Sequence, residues 1–157
     1  MLLIGAGGAA AGVLGPLLQE RPAAITLANR TPRNALLLAD RHADAAAQAG
    51  VRLEVAPLDS PGADFAIVIN ASTSSLQGAG VPVPQTVLGR GALAVDLMYG
   101  HAAEPFLAWA RQAGAEGRDG LGMLVEQAAE AFFVWRGVHP TSAPVLHALR
   151  QRLAAKP

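Results

Sequence analysis

There is no cysteine in these 157 residues, only one lysine, and no apolar run long enough to cross a bilayer. Without thiols, disulfides, thiolate nucleophiles and cysteine-bound zinc are excluded. The four histidines, His42, His101, His139 and His147, are scattered without ligand spacing, so no metal site is expected. A spanning helix needs roughly 20 consecutive apolar residues, and no membrane segment is expected. Net charge is lacking too: 12 basic and 12 acidic residues cancel. No global field draws nucleic acid or an anionic membrane, so any phosphate recognition must be local. These absences constrain the compartment only weakly, and cytoplasm is the expectation.

What is present is apolar. At 52% hydrophobic, the chain has enough material for one folded domain over residues 1–157. It opens "MLLIGAGGAAAGVLGPLL", with no charge before Glu20. One reading is a targeting peptide cleaved near Ala9-Ala10-Ala11. It fits poorly, because no basic residue precedes the apolar stretch and glycines interrupt it. The other reading is a buried strand, Leu2-Leu3-Ile4, turning on glycines into a helix from about Ala9 to Gln19.

The rest of the chain alternates in the same way. Ile25 to Ala28 reads as a second strand, and Thr31-Pro32 as the start of a helix running to Ala49 and stopped by Gly50. Strands follow at Val51 to Val55, at Phe65 to Ile69 and at Leu93 to Asp96. The continuous apolar run at Phe65 suits a central parallel strand covered on both faces, and it ends in a loop through Asn70, Ala71, Ser72, Thr73 and Ser74. A short helical segment follows Pro82 and Pro84. Further helices are expected from Pro105 to Ala113, from Leu121 to Trp135 and from Ala143 to Ala154, with a brief strand from Ala115 to Arg118. This order predicts an α/β fold of the Rossmann type: a doubly wound, mostly parallel sheet of about six strands, with helices on both faces. Ligands gather at the carboxyl ends of such strands. The first strand is curtailed by the start of the chain, which predicts that sequence precedes Met1.

Gly5, Gly7 and Ala10 form a GxGxxA pattern between the first strand and helix. There the backbone can approach a pyrophosphate, and the helix terminus offers free N–H groups. The end of the second strand discriminates between dinucleotides, because a carboxylate there binds a ribose 2′-hydroxyl and repels a 2′-phosphate. Here it reads Asn29-Arg30-Thr31, with Arg33 nearby and no acid between Arg21 and Ala39. That pattern selects NADP over NAD. Asp96, at a strand end facing backbone amides, reads as structural rather than as a catalytic acid.

Taken together, "GAGGAA", "ANRT", "INAS", "DLMYG" with "PFLAWA", and above all "DGLGMLVEQAAEAFFVWRGVHP" resemble the C-terminal, NADP-binding half of the shikimate dehydrogenase family. The resemblance implies an oxidoreductase of aromatic amino acid biosynthesis that interconverts 3-dehydroshikimate and shikimate. It implies that Gly5, Ala6, Gly7, Gly8 and Ala9 cradle the pyrophosphate and that Asn29, Arg30 and Thr31, assisted by Arg33, take the 2′-phosphate. Asn70, Ala71 and Ser72 would lie near the ribose and nicotinamide, with Leu97 and Gly120 beside the nicotinamide. Tyr99 and Gln127 would touch the substrate. Several residues depart from the family pattern: Ala11 and Asn34 stand where basic residues are common, Leu97 replaces a methionine, and His101 a lysine.

In the family, a Lys and an Asp of the N-terminal half manage the proton. The only lysine here, Lys156, is next to last, in a tail not expected to reach the cleft. The chain therefore reads as lacking catalytic residues, inactive alone, with residues 138–157 packing on an absent N-terminal half. Its exposed apolar surface predicts self-association. Two alternatives are a non-enzymatic NADP-binding or interaction module, and a quinate/shikimate dehydrogenase. An NAD-using version of the latter would need an acid near Asn29.

Overall fold

The computed structural model describes residues 1–72 and 80–155, so Thr73, Ser74 and Lys156 lie outside the described residues. Six strands form one sheet in which every pairing is parallel: β1 (Leu2–Ile4), β2 (Ala24–Ala28), β3 (Arg52–Ala56), β4 (Phe65–Asn70), β5 (Leu88–Asp96) and β6 (Glu116–Arg118). Their spatial order is β3-β2-β1-β4-β5-β6, as expected for the doubly wound fold. The order reverses between β1 and β4, where a crevice opens at the strand ends.

Side chains of successive strand residues point to opposite faces, and β1 shows the result. Leu3 packs with Leu27 and Ile69 beneath Ala10, Leu14 and Leu18 of helix α1 (Gly8–Gln19). On the other face, Leu2 and Ile4 pack with Val68 and Ala94 beneath Phe106 and Ala110 of helix α4 (Glu104–Gln112). Helix α5 (Leu121–Arg136) buries Leu121 and Val125 in its first turns, whereas the last helix, α6 (Ser142–Ala154), buries no residue.

Two elements differ from the sequence expectation. The helix expected from Thr31 to Ala49 is two, α2 (Pro32–Arg41) and α3 (Ala43–Ala49), broken at His42. The His42 ring places Nδ1 3.0 Å from the Leu38 carbonyl oxygen, the acceptor its own amide would use in a continuous helix, and that amide bonds Ala39 instead. Strand β5 begins at Leu88 rather than Leu93. Its first half, Leu88-Gly89-Arg90-Gly91, has no apolar alternation to reveal it. Gly89 nonetheless backs onto β4 so closely that a Cβ there would lie 3.0 Å from the Asp64 carbonyl oxygen.

Candidate functional site

At the crevice, Gly5 leaves β1 with φ at +110°, and a Cβ there would lie 2.9 Å from the Ala71 carbonyl. Gly5 donates its N–H to Ala28 at 2.8 Å, and Ala71 donates to Ile4 at the same distance, so the ends of β1, β2 and β4 are tied together. Gly7 is different. Its φ of −89° and ψ of −166° are open to any residue, and a Cβ would meet nothing within 4 Å. Neither backbone nor packing demands glycine there. Gly7 is also the N-cap of α1, so no side chain caps the helix and its first turn holds no acid. The N–H groups of that turn and the positive end of the helix dipole face open space, an arrangement suited to an anion.

The ends of β1, β2 and β4 line a cleft of about 350 Å³. Of the sequence-predicted residues, Gly5, Ala6, Gly7, Asn29, Arg30, Thr31, Ala71 and Ser72 line it. The Asn29 amide donates to the Thr31 carbonyl at 2.9 Å, which fixes the turn presenting Arg30. Both Arg30 and Arg33 are exposed, and among the described residues neither has an ion-pair partner. Arg33 lies outside the lining, whereas Asn34 is part of it. One residue along a helix turns a side chain by about 100°, so Asn34 occupies the direction that Arg33 was expected to supply. Gly8 instead lines a neighbouring hollow of about 240 Å³ with Ala11, Asn34 and Arg41, and Ala9 lines neither.

Below the cleft, Asn70 is 1% exposed and Asp96 fully buried. The Asn70 amide donates to Asp96 Oδ2 at 3.0 Å, while its Oδ1 accepts from the Ser72 amide and hydroxyl at 3.1 and 2.7 Å. Asp96 Oδ1 accepts from the Met98 amide at 2.9 Å. Asp96 thus has the hydrogen-bonding, structural surroundings that its place in the chain predicted, and it braces the ends of β4 and β5.

Leu97, Tyr99 and Gly120 form a second group, at the ends of β5 and β6, with Gln127 nearly two turns along α5, and none of the four lines either hollow. Gly120 donates to the Met98 carbonyl at 2.8 Å, and a Cβ on it would overlap the Leu97 carbonyl oxygen at 2.2 Å. That contact admits only glycine. Tyr99 is 39% exposed and Gln127 is exposed on α5. The sequence reading missed Leu58, Gly80 and Pro82, which complete the cleft wall. Leu58 follows the carboxyl end of β3, and that position was the one available signal. Among the described residues, no three His, Asp or Glu side chains are grouped to hold a metal, and no helix is long and apolar enough to cross a membrane.

Residues 120–150 match the family model for the shikimate 5'-dehydrogenase C-terminal domain. The chain is 60% identical over 155 residues to the NADP(+) shikimate dehydrogenase of Acidovorax ebreus, covering 99% of this chain and 55% of that protein. Among solved structures, an Ael1 enzyme from Pseudomonas putida superposes with a TM-score of 0.84 at 44% identity, over 94% of this chain and 53% of that one. The Thermus thermophilus shikimate 5-dehydrogenase in complex with NADP(H) and shikimate gives 0.70 at 30% identity, over 96% and 54%. The chain therefore spans about half the length of the relatives it matches.

Proposed function

Because the chain belongs to the shikimate dehydrogenase family, corresponding to the C-terminal half of its relatives, we propose that it binds NADP(H) in the β1–β4 cleft as half of an oxidoreductase. The reaction is the interconversion of 3-dehydroshikimate and shikimate, placed in the cytoplasm. The observation that carries this reading is the pairing of an open, uncapped helix terminus at Gly7 with a carboxylate-free turn at Arg30 in one cleft. Both ends of an NADP phosphate pattern are then met, pyrophosphate by amides and 2′-phosphate by a guanidinium.

In this reading, the Gly5 to Ala9 turn holds the pyrophosphate, and Asn29, Arg30 and Thr31 hold the 2′-phosphate, with Arg33 adding positive charge nearby. Ala71 and Ser72 line the ribose side, and Asn70, beneath them, holds Ser72 in place. Leu97 and Gly120, in close contact at the ends of β5 and β6, would lie beside the nicotinamide. Bound there, NADP(H) supplies or accepts the hydride. Tyr99 and Gln127 orient the substrate's hydroxyls, Gln127 as both donor and acceptor. A lysine and an aspartate from the half that this chain does not span handle the proton, and the segment from residue 138 onward packs against that half.

The test is NADPH formation from shikimate at mildly alkaline pH. The chain alone is expected to give no turnover, since acid/base help contributes about 10²–10⁴ in rate. Adding the N-terminal half of a relative should restore activity, and Gln127→Ala should then raise KM. Robust turnover by the chain alone would overturn the assignment of the proton-handling groups and direct attention to His101.

A further inference from the structure

Asp119 lies in the loop between β6 and α5, and its side chain is only 6% exposed. Its carboxylate gathers three separate segments of chain. Oδ2 accepts from the Gly100 amide at 3.4 Å, in the turn after β5, and Oδ1 accepts from the Leu121 amide at 3.2 Å, at the start of α5. From α6, Arg150 donates Nη1 to Oδ2 at 2.6 Å and Nη2 to Oδ1 at 2.5 Å. This two-pronged match of guanidinium and carboxylate is geometrically demanding, and a lysine does not reproduce it. One turn along the same face of α6, Leu153 lies 3.6 Å from where a Cβ on Gly100 would sit. No residue of α6 is fully buried, and Leu146, Leu149 and Leu153 are half-buried along it. The residues it secures, Gly100 and Leu121, directly follow Tyr99 and Gly120.

We propose that Arg150 is a positioning residue: through Asp119 it holds the Tyr99-Gly100 turn against the start of α5, so that the last helix sets the rim of the cofactor site on its β5–β6 side. Burial opposes the charged form of Asp119, but the Arg150 hydrogen bonds, the Leu121 amide, the Arg150 charge and the Gly100 amide outweigh it and hold the carboxyl below its ordinary value. The carboxylate is therefore ionised at neutral pH, as the clamp requires. The part of the inference that concerns cofactor rests on reading the cleft as an NADP(H) site.

Two measurements on the full chain test it. The first is amide hydrogen exchange in the ligand-free protein, comparing wild type with Arg150→Ala and Arg150→Lys. Arg150→Ala should speed exchange at Gly100 and Leu121 by about tenfold, the scale of one lost charged hydrogen bond, without altering exchange in β1, and Arg150→Lys should recover part of the protection. The second compares affinity for NADPH with affinity for 2′-phospho-ADP-ribose, which lacks the nicotinamide. Arg150→Ala should weaken NADPH severalfold and leave the fragment unchanged. Unaltered exchange at Gly100 and Leu121, or equal losses for the two ligands, would overturn the proposal. Should wild type bind neither ligand, the reading of the cleft fails by itself, and the exchange result alone decides the role of Arg150.

Discussion

Gly5 and Gly7 stand two residues apart in one turn and are glycines for different reasons. At Gly5 a positive φ and the Ala71 carbonyl exclude any Cβ. Gly5→Ala should therefore cost about 1–3 kcal/mol in denaturant unfolding, the scale of local backbone strain, before any ligand is considered. At Gly7 the fold leaves room for a Cβ, so Gly7→Ala should cost no more than the roughly 1 kcal/mol that separates Gly from Ala at an N-cap, yet bind NADPH at least several-fold more weakly. A Gly7→Ala protein as destabilised as Gly5→Ala would contradict this. In the proposed reading, Arg30 carries the choice of cofactor. Charged hydrogen bonds contribute roughly 1.5–3 kcal/mol, so calorimetry on Arg30→Ala should show NADP weakened about ten- to a hundredfold and NAD barely changed. Equal losses for both would remove Arg30 from the 2′-phosphate. Gly5, Gly7 and Arg30 were legible because spacing relative to a strand end specifies them. That Asn34 rather than Arg33 lines the cleft was legible only through the family resemblance, which marks position 34 as one where basic residues are common. Leu58 and Pro82 reach the cleft through loop paths that no local pattern encodes.

Elements were read well where burial imposes a pattern and poorly where a single side chain decides. The uninterrupted apolar run of β4 and the glycine stop at Gly50, with φ at +72°, were visible in the sequence. The break between α2 and α3 was not, because it turns on the His42 ring meeting one carbonyl oxygen. The attachment of α6 was also hidden, since Asp119 and Arg150 are 31 residues apart. That attachment carries a pH dependence. The carboxyl of Asp119 is held below its ordinary value in the folded protein, so its contribution to stability is present above the unfolded value of about 3.9 and is lost as pH falls through the folded one. Asp119→Asn should lower stability by about 1.5–3 kcal/mol at pH 7, and the gap to wild type should close in acid. Chemical unfolding at pH 7 and at about pH 3 checks this; a gap that persists or widens in acid would show that charge on Asp119 is not what secures α6.

Across the whole molecule, the doubly wound parallel sheet and both of its covered faces follow from alternating apolar strands and helices, and so they were legible without any knowledge of contacts, whereas alternation alone does not fix the strand order. The surface of the last two helices follows a different rule. Val134 is 77% exposed, Trp135 78% and Val138 60%, beside half-exposed Phe132 and Val145. In the proposed reading these side chains belong to the part of the chain that meets the other half, since exposed apolar surface tends to seek a partner. At tens of micromolar the chain should self-associate or bind a hydrophobic dye, and a monodisperse monomer that binds no dye would count against an interface there. The central claim concerns the cleft formed by the carboxyl ends of β1, β2 and β4. Titration of the chain with NADPH and with NADH, followed by nicotinamide fluorescence, tests that claim most directly. The account predicts saturable binding of NADPH at least about tenfold tighter than NADH, the scale of one charged contact to the 2′-phosphate. Equal affinities, or no saturable binding of NADPH, would contradict it.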